Sequence, residues 1–400
     1  MEDQCIAREI RGAKIMLQEV ISRCSIEGFL DGLFEGDVHA KRVRSLADAT
    51  LGVITSASLG VHAIGQGLAH AADLMPKHAV KQVDRLLSNR GIEVWEYFAH
   101  WVPYVVGARR EVMVALDWTD FGEDGQATVA LSLLTGHGRA TPLLWLTVDK
   151  STMKGEQTSY EDRLLLRLKE TLPVGVEVTV LADRGIASVA LFEFLASELG
   201  FGYVLRLRGH IYVTDAGGER RRASGWVGAG GRARTLRCAR VTDSHGYQVP
   251  TVVCVKARGM SEPWCLVASD GQASAKTLVG YYGRRWGIEA SFRDIKDLRY
   301  GLGLSWTHVS QPARRDRLLL LSAFALVLLS MLGAAGESLG YDRMLKANTV
   351  KHRTMSLFRQ GCSLYNWIPN MREDLLRPLM QRFGETLCEH RATSLMFGII

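Results

Sequence analysis

The chain has 400 residues, enough for one large domain with an extension or for two to three domains of about 150 residues each. Hydrophobic residues make up 47% and charged residues 23%, values near the globular average that exclude a disordered or fibrous protein. The formal net charge is +7, from 49 Lys and Arg against 42 Asp and Glu. Such an excess permits a polyanionic partner without requiring one.

The cysteines and the N-terminus indicate a protein of the reduced cytoplasm. Seven cysteines form no C-x-x-C pair and no Cys/His cluster at zinc spacing, and the first residues lack the features of a secretory signal. Residues 318–335 are apolar enough to suggest a membrane span. The charges at residues 314–317 and two serines within the stretch favour a buried helix instead, with a single membrane anchor as the alternative.

Residues 1–110 are predicted to be helical. Apolar residues recur with helical spacing at 10–21, small residues concentrate at 46–68, and an amphipathic run occupies 78–87. Three basic residues repeat every four positions on the polar face of this last run: Lys77, Lys81 and Arg85. That face is either an ordinary solvated surface or a phosphate-binding surface, and the pattern leaves both interpretations open.

The part of the chain that follows residue 110 is predicted to form strands. Three strand-like runs, at residues 112–116, 127–134 and 141–148, predict an antiparallel meander. A helix, a strand, a helix and a strand follow, at residues 160–172, 176–182, 188–199 and 203–207. The order βββαβαβ predicts an α/β fold with an RNase H-like mixed sheet, in which parallel βα units extend a three-stranded meander.

The second half of the chain is predicted to be β-rich first and helical later. Residues 208–269 are rich in Gly and Arg and contain several short strands, which indicates a β-rich insertion. Helices are predicted at 274–298 and 314–332. Beyond these, residues 344–358 and 374–383 are the best helical candidates.

One predicted helix gathers polar groups on one face. At about 100° per residue, five side chains of this helix fall within one arc, beside a narrow apolar stripe: Tyr282, Arg285, Glu289, Arg293 and Lys296. Taken alone, this pattern is typical of a surface helix with ordinary i,i+4 ion pairs. The interpretation changes when the acids that precede it in the chain are considered.

Two aspartates follow predicted buried strands. Asp117 and Asp183 each come directly after an apolar run, where a single Asp is more often a turn or helix-cap residue. The predicted sheet places these strands side by side, so both can converge with Glu289. Asp120 is the alternative candidate for the first acid. If the strand continues past Asp117, an offset of three residues turns the Asp120 side chain to the opposite face of the sheet. We therefore prefer Asp117.

These residues resemble the motifs of a known family. Four side chains of the predicted helix are spaced as in the Y-x2-R-x3-E-x6-K signature of bacterial insertion-sequence DDE transposases, which they resemble: Tyr282, Arg285, Glu289 and Lys296. The segments Leu-Asp-Trp-Thr-Asp-Phe around Asp117 and Ala-Asp-Arg-Gly around Asp183 resemble the family's first and second acidic motifs. A β-rich insertion between the second and third acids is also typical of the family. The resemblance covers residues 75–360.

The resemblance implies a transposase that binds terminal inverted repeats, cleaves the element ends and joins 3′-OH ends to target DNA by cut-and-paste. Asp117, Asp183 and Glu289 would be the catalytic acids and would bind two Mg²⁺ ions, for which Mn²⁺ can substitute, in two-metal phosphoryl transfer. No ATP is expected, because the sequence contains no G-x-x-x-x-G-K-[ST] loop.

The resemblance also implies contacts with DNA. Tyr282, Arg285 and Lys296 would hold phosphates of the transposon end, with Arg293 ranked lower. Residues 201–260 carry eleven Lys or Arg against three acids, a net charge of +8, which we expect beside the catalytic face. The further candidates are the helical cations Lys77, Lys81 and Arg85, the insertion residues Arg220, Arg221 and Arg222, and the base-stacking candidates Trp264 and Trp226. Core packing is the alternative for Trp264, and cleavage through a DNA hairpin stays open.

Five regions are expected: a helical DNA-binding region at 1–110, the first part of the catalytic core at 111–207, the basic insertion at 208–269, the second part of the core at 270–340, and a helical region for dimerisation or DNA contact at 341–400. The expected partners are double-stranded DNA, both ends and target, and a second copy of the chain in a homodimer. We expect no membrane partner and a location at the bacterial nucleoid. The alternatives are an RNase H-like nuclease without strand transfer and a domesticated DNA-binding protein without catalysis.

Overall fold

The structure, a computed structural model, describes residues 21–242 and 246–393, with side chains described as far as residue 387. The predicted helical spacing at residues 10–21 therefore lies almost wholly outside the described residues. The described chain begins with five helices: α1 (Arg23–Phe34), α2 (Ala40–Ser56), α3 (Val61–Ala72), α4 (Pro76–Ser88) and α5 (Val94–Val106). Ser22 caps α1 by accepting a hydrogen bond from Ser25 N–H, and Pro76 occupies the first turn of α4.

Small residues let α2 and α3 pack closely. The two helices meet at 96°, and a Cβ on Gly52 would overlap the backbone oxygen of Ile64. On α4, Ala79 and Val83 are buried, while the three predicted basic residues of that helix are exposed to solvent. The amphipathic pattern of α4 is thus confirmed.

Ten strands of the described chain form one mixed sheet, in the order β3-β2-β1-β4-β5-β10-β9-β8-β6-β7. The first five are β1 (Glu111–Phe121), β2 (Gln126–Leu134), β3 (Ala140–Asp149), β4 (Glu177–Ala182) and β5 (Gly202–Leu207). The first three pair antiparallel, whereas β1 with β4 and β4 with β5 pair parallel. The connecting helices are α6 (Gln157–Thr171) and α7 (Val189–Glu193), which continues as a π-helical turn through Glu198. The predicted RNase H-like arrangement of a meander extended by parallel βα units is confirmed.

The strands that follow extend the same sheet. They are β6 (Tyr212–Thr214), β7 (Arg220–Arg222), β8 (Arg234–Val241), β9 (Tyr247–Val255) and β10 (Trp264–Ala268). Because β10 pairs with β5, the insertion continues the central sheet, and successive pairing carries β7 seven strand positions away from β1. The arginines of β7 therefore lie on an edge strand of the sheet, and the expectation that they lie beside the catalytic face stays a prediction.

Five helices complete the described chain: α8 (Ala275–Arg284), α9 (Trp286–Lys296), α10 (Pro312–Ser338), α11 (Leu357–Trp367) and α12 (Glu373–Thr393). The single helix predicted for residues 274–298 is divided at Arg285, whose N–H bonds the carbonyl of Tyr282, three residues back rather than four. Glycines at 283 and 287 flank this tightened turn, and glycine is a weak helix former.

The helix predicted at residues 344–358 is wrong. Only a short 3-10 turn, Tyr341–Leu345, occupies the start of that range, and α11 begins after Ser356. The Ser356 side chain accepts a hydrogen bond from Arg359 N–H, so it marks a helix start inside the stretch predicted to be helical. The helix predicted at 374–383 is confirmed within the longer α12.

Helix α10 lies in the core. Among the described helices it alone is long and apolar enough to cross a membrane, with a mean hydropathy of 2.5 over its most apolar 18 residues, of which 94% are buried within the protein. The bent pair α2 and α3 passes the same test only when counted as one span. Phe324 of α10 packs against the rings of Phe29, Phe34 and Trp101. The prediction of a buried helix is confirmed.

Candidate active site

Two neighbouring strands place the first two acids together. The parallel pairing of β1 with β4 ends at Leu116 opposite Ala182, so Asp117 and Asp183 follow the same rung of the ladder. Asp183 leaves the sheet there. Asp117 does not close its strand as predicted, because β1 continues to Phe121 through its pairing with β2.

The continuation of β1 separates Asp120 from Asp117. The side chain of Asp120 is exposed and forms an ion pair with Lys150, at 2.5 Å between Oδ1 and Nζ. Asp117 instead accepts hydrogen bonds from Trp118 N–H and from Arg285. The odd offset along an extended strand thus directs the two carboxylates to different partners.

Arg285 joins the three acids. Its Nη1 lies 2.9 Å from Oδ2 of Asp117, and its Nη2 lies 2.7 Å from Oε1 of Glu289 and 4.0 Å from Oδ2 of Asp183. The Arg285 side chain is only 8% exposed. Glu289 reaches this point from the first turn of α9, one helical turn beyond Arg285.

The pKa shifts at this cluster reflect burial and crowding of charge. Burial raises the pKa of Asp117; Arg285 and the Trp118 N–H oppose that shift, and the charges of Glu289 and Asp183 reinforce it. For Arg285, burial alone would lower the pKa, but Tyr282 and the three carboxylates raise it, so the guanidinium stays charged. The cluster is therefore a partly buried acidic pocket that holds one permanent cation.

The pKa of Asp183 shifts in the opposite direction. Burial would raise it, but the Arg184 N–H, the Tyr282 hydroxyl and the cations of Arg285 and Arg206 together lower it below its usual value. Arg206 lies 3.6 Å from Asp183 and 2.8 Å from Glu262. Sequence reasoning missed Arg206, because one Arg at the end of a buried strand carries no signal of its own.

Tyr282 supports Asp183. It is buried, and its hydroxyl donates a 2.9 Å hydrogen bond to Oδ1 of Asp183. Burial raises the pKa of Tyr282, so the phenol remains a donor. The ring of Trp264 packs edge-on against it at 4.9 Å between centroids. The Tyr282 hydroxyl thus contacts a carboxylate of the protein, and its predicted phosphate contact stays a prediction.

The remaining cations of the predicted arc lie along an open cleft. Lys296 Nζ donates to the Thr119 hydroxyl and to the Asp120 carbonyl, at 3.0 and 2.7 Å, while Arg293 is exposed. The cleft has a volume of about 580 Å³, within the range of roughly 300 to 1,000 Å³ typical of ligand pockets. Asp117 and Glu289 lie on its wall with these two cations.

An aromatic side chain that sequence reasoning missed also lines this cleft. Trp306 is 69% exposed, on the 3-10 turn Leu304–Trp306. Neighbouring residues anchor the turn: Leu304 is buried, and Val309 N–H donates to the Asp124 side chain. The sequence signal is weak, since one Trp in a loop differs little from a core residue.

The two base-stacking candidates behave differently. Trp226 is fully buried and donates its indole N–H to the Val213 carbonyl at 3.0 Å, so the prediction that it meets a base is wrong. The Trp226 ring, on the 3-10 turn Ala223–Trp226, packs against the strands of the insertion instead. Trp264 is partly buried on the Tyr282 ring, next to the acidic cluster.

The donor set suits a divalent cation, although the described residues hold no complete preformed metal site. No group of three His, Cys, Asp or Glu side chains in the described ranges has the geometry to hold a metal ion. The three carboxylates nevertheless converge on one guanidinium, and carboxylate oxygens are the ligands that Mg²⁺ prefers. Their chemistry therefore fits a hard divalent ion at the position that Arg285 now neutralises.

The comparison with protein families identifies the fold. Residues 128–328 match the family model described as the transposase DDE domain. The chain belongs to the DDE transposase family. The match covers half of the chain and contains Asp183 and Glu289, but it begins eleven residues after Asp117. None of the curated proteins compared with the chain matches it. The RNase H-like fold of this transposase is thus shown, and its family acts on DNA, generally with divalent metal ions.

Proposed function

We propose that this transposase binds the inverted repeats of an insertion sequence, cleaves at the ends and joins the 3′-OH ends to target DNA by cut-and-paste. One observation carries the proposal: Asp117, Asp183 and Glu289 come from two strands and a helix, yet all lie within 4.0 Å of one guanidinium beside an open cleft. A surface ion pair would not require three acids from distant parts of the chain.

The same three acids are the proposed ligands of two Mg²⁺ ions, for which Mn²⁺ can substitute. Bound divalent ions would activate the attacking hydroxyl and stabilise the leaving oxygen of the phosphodiester. The chain's own groups prepare the ligands: Tyr282 orients Asp183 by donating to Oδ1, and the Trp118 N–H orients Asp117. Both hydrogen bonds leave the second oxygen of each carboxylate directed at Arg285.

The cleft cations Lys296 and Arg293 are proposed to contact phosphates near the scissile bond. The exposed face of α4, with Lys77, Lys81 and Arg85, is proposed to extend the DNA contact on the N-terminal region. A homodimer would bring two ends together with one active site for each end. We propose the bacterial nucleoid as the place of action and the five regions defined above as the domain organisation.

Strand transfer separates this function from a plain nuclease. With pre-cleaved ends, target DNA and Mg²⁺, the transposase is expected to yield joined products, measured by gel electrophoresis of a labelled end. Cleavage without joining would indicate a nuclease. Binding without either reaction, with Mg²⁺ or Mn²⁺, would indicate a domesticated DNA-binding protein.

Trp306 is proposed as an aromatic wall for a DNA base at the cleft. Trp306→Ala is expected to weaken binding of ends with unpaired terminal bases by about 1–3 kcal/mol, the usual contribution of base–aromatic stacking. Fluorescence anisotropy with labelled ends measures the affinity. Tyr300→Ala is the control, because Tyr300 is exposed but is not among the residues lining the cleft. Equal losses in both variants would remove Trp306 from the site.

Substitution of the arginines of β7 tests whether the DNA contact extends to that strand. Replacing Arg220, Arg221 and Arg222 with Gln is expected to make binding less dependent on salt, with the slope falling by about 0.9 for each phosphate that the protein no longer neutralises. Binding measured over a series of salt concentrations gives that slope. An unchanged slope would show that these exposed arginines belong to the ordinary solvated surface. Their strand lies seven positions from β1 in the sheet, which is consistent with that alternative.

A further inference from the structure

We propose that Arg285 is a built-in counter-cation that occupies the acidic pocket of the DNA-free transposase and leaves it when DNA binds, so that divalent ions bind tightly only to the DNA-bound protein. The inference rests on the proposed metal-dependent function. It adds a competition between a side chain and the metal ion at the same carboxylates.

The contacts of Arg285 show this competition. Nη1 and Nη2 divide their contacts among Asp117, Glu289 and Asp183, at 2.9, 2.7 and 4.0 Å. A divalent ion held by the same oxygens would lie close to the Arg285 guanidinium. That side chain is 8% exposed and cannot be deprotonated, so its positive charge is permanent. Like charges at such separation repel strongly in a partly buried site. The guanidinium must therefore move for a metal ion to bind well.

The other nearby cations have different partners. Arg206 reaches only Asp183 among the three acids and is held by Glu262. Lys296 donates to a hydroxyl and a backbone carbonyl rather than to a carboxylate. Within residues 21–242 and 246–393, Arg285 is thus the cation that lies within 4.0 Å of all three acids.

The position of Arg285 gives it a route to DNA. It lies at the break between α8 and α9, and the next residue, Trp286, is 65% exposed. A guanidinium binds phosphate through the same two-pronged geometry that it uses for carboxylates. Arg285 contacts Asp117 and Glu289, which line the cleft, so a DNA phosphate bound there can draw the guanidinium away and free the acids for metal. DNA binding and metal binding then strengthen each other.

Metal affinity tests the inference without reference to catalysis. Mn²⁺ binding to the full DNA-free chain is measured by electron paramagnetic resonance of the free ion. Arg285→Gln is expected to bind Mn²⁺ at least tenfold more tightly than wild type. Arg284→Gln, which removes the exposed cation next to Arg285 in the chain, is the matched control and is expected to change affinity by less than threefold. Equal or weaker binding by Arg285→Gln would overturn the inference.

A second variant covers the risk that Arg285→Gln fails to fold with three unpaired carboxylates. Arg285→Lys keeps the charge but lacks the fork that spans three acids. Mn²⁺ is expected to raise its melting temperature more than that of wild type, and equal shifts would overturn the inference.

Failure of the inference can be distinguished from failure of the proposed function. Adding Asp117→Asn to Arg285→Gln is expected to abolish the tight Mn²⁺ site. If tight binding survives, the acids are not the metal ligands and the proposed function fails together with the inference. If Asp117→Asn weakens Mn²⁺ binding in wild type but Arg285→Gln does not strengthen it, the function stands and only the inference fails.

Discussion

Replacing Asp117 with Asn is expected to reduce metal-dependent cleavage of transposon ends by about two to three orders of magnitude, a typical cost of removing one electrostatic group that stabilises a transition state. Asn has the same shape but no charge, so it would weaken a ligand of the divalent ions. The rate of cleavage of a labelled end in Mg²⁺ measures the effect. Asp183→Asn and Glu289→Gln are expected to cause comparable losses.

Asp120→Asn is the matched control for this prediction. Asp120 belongs to the same strand three residues away, but its carboxylate is exposed and pairs with Lys150. An exposed pair of this kind contributes little to stability, so both folding and cleavage are expected to be retained. Full activity in Asp117→Asn, or equal losses in the two variants, would contradict the assignment of Asp117.

Gly361→Ala is expected to destabilise the protein by about 1–3 kcal/mol or more, the cost of overpacking a tight interior. A Cβ at Gly361 in α11 would overlap the backbone oxygen of Leu329 in α10. The two helices are equally close at a second point, since a Cβ on Gly333 in α10 would overlap the backbone oxygen of Leu357 in α11. The two backbones cannot separate without opening the core around α10. Urea unfolding followed by circular dichroism measures the loss.

Gly28→Ala provides the contrast. Gly28 lies inside α1, and nothing lies within 4 Å of a Cβ built there. Alanine at an open helical position is expected to stabilise by about 0.5–1 kcal/mol through its lower conformational entropy in the unfolded chain. If Gly361→Ala is as well tolerated as Gly28→Ala, the close crossing of α10 and α11 is not present in solution.

The core helix is connected to the site through the end of β1. Arg315 of α10 is fully buried, pairs with Asp124 and donates to Gln126 at 2.7 Å. Its guanidinium lies over the Phe121 ring at 3.8 Å, and Lys296 lies over the same ring at 4.8 Å. Packing of α10 thus supports the strand that carries Asp117. A loosened α10–α11 crossing is expected to affect the site as well as the core.

The amino-acid sequence by itself determined the order of elements and the residues able to supply the chemistry. Alternating and helical spacings are local properties, which is why the meander, the parallel βα units and the buried α10 could be predicted from the residues alone. The helix predicted at 344–358 was wrong because a single cap, Ser356, places the helix start near the end of that range. The break at Arg285 escaped prediction because a helical wheel assumes a continuous helix.

Only the tertiary structure decided what each polar group contacts. The hydroxyl of Tyr282 meets a carboxylate 99 residues away, and Arg285 meets one 168 residues away. Periodicity placed both on one arc with Glu289 but could not show that their side chains contact Asp117 and Asp183. Trp226 was directed into the core and Trp306 to the cleft for the same reason. Burial and ion pairing depend on chain segments distant in sequence, so they appear only when the sheet brings those segments together.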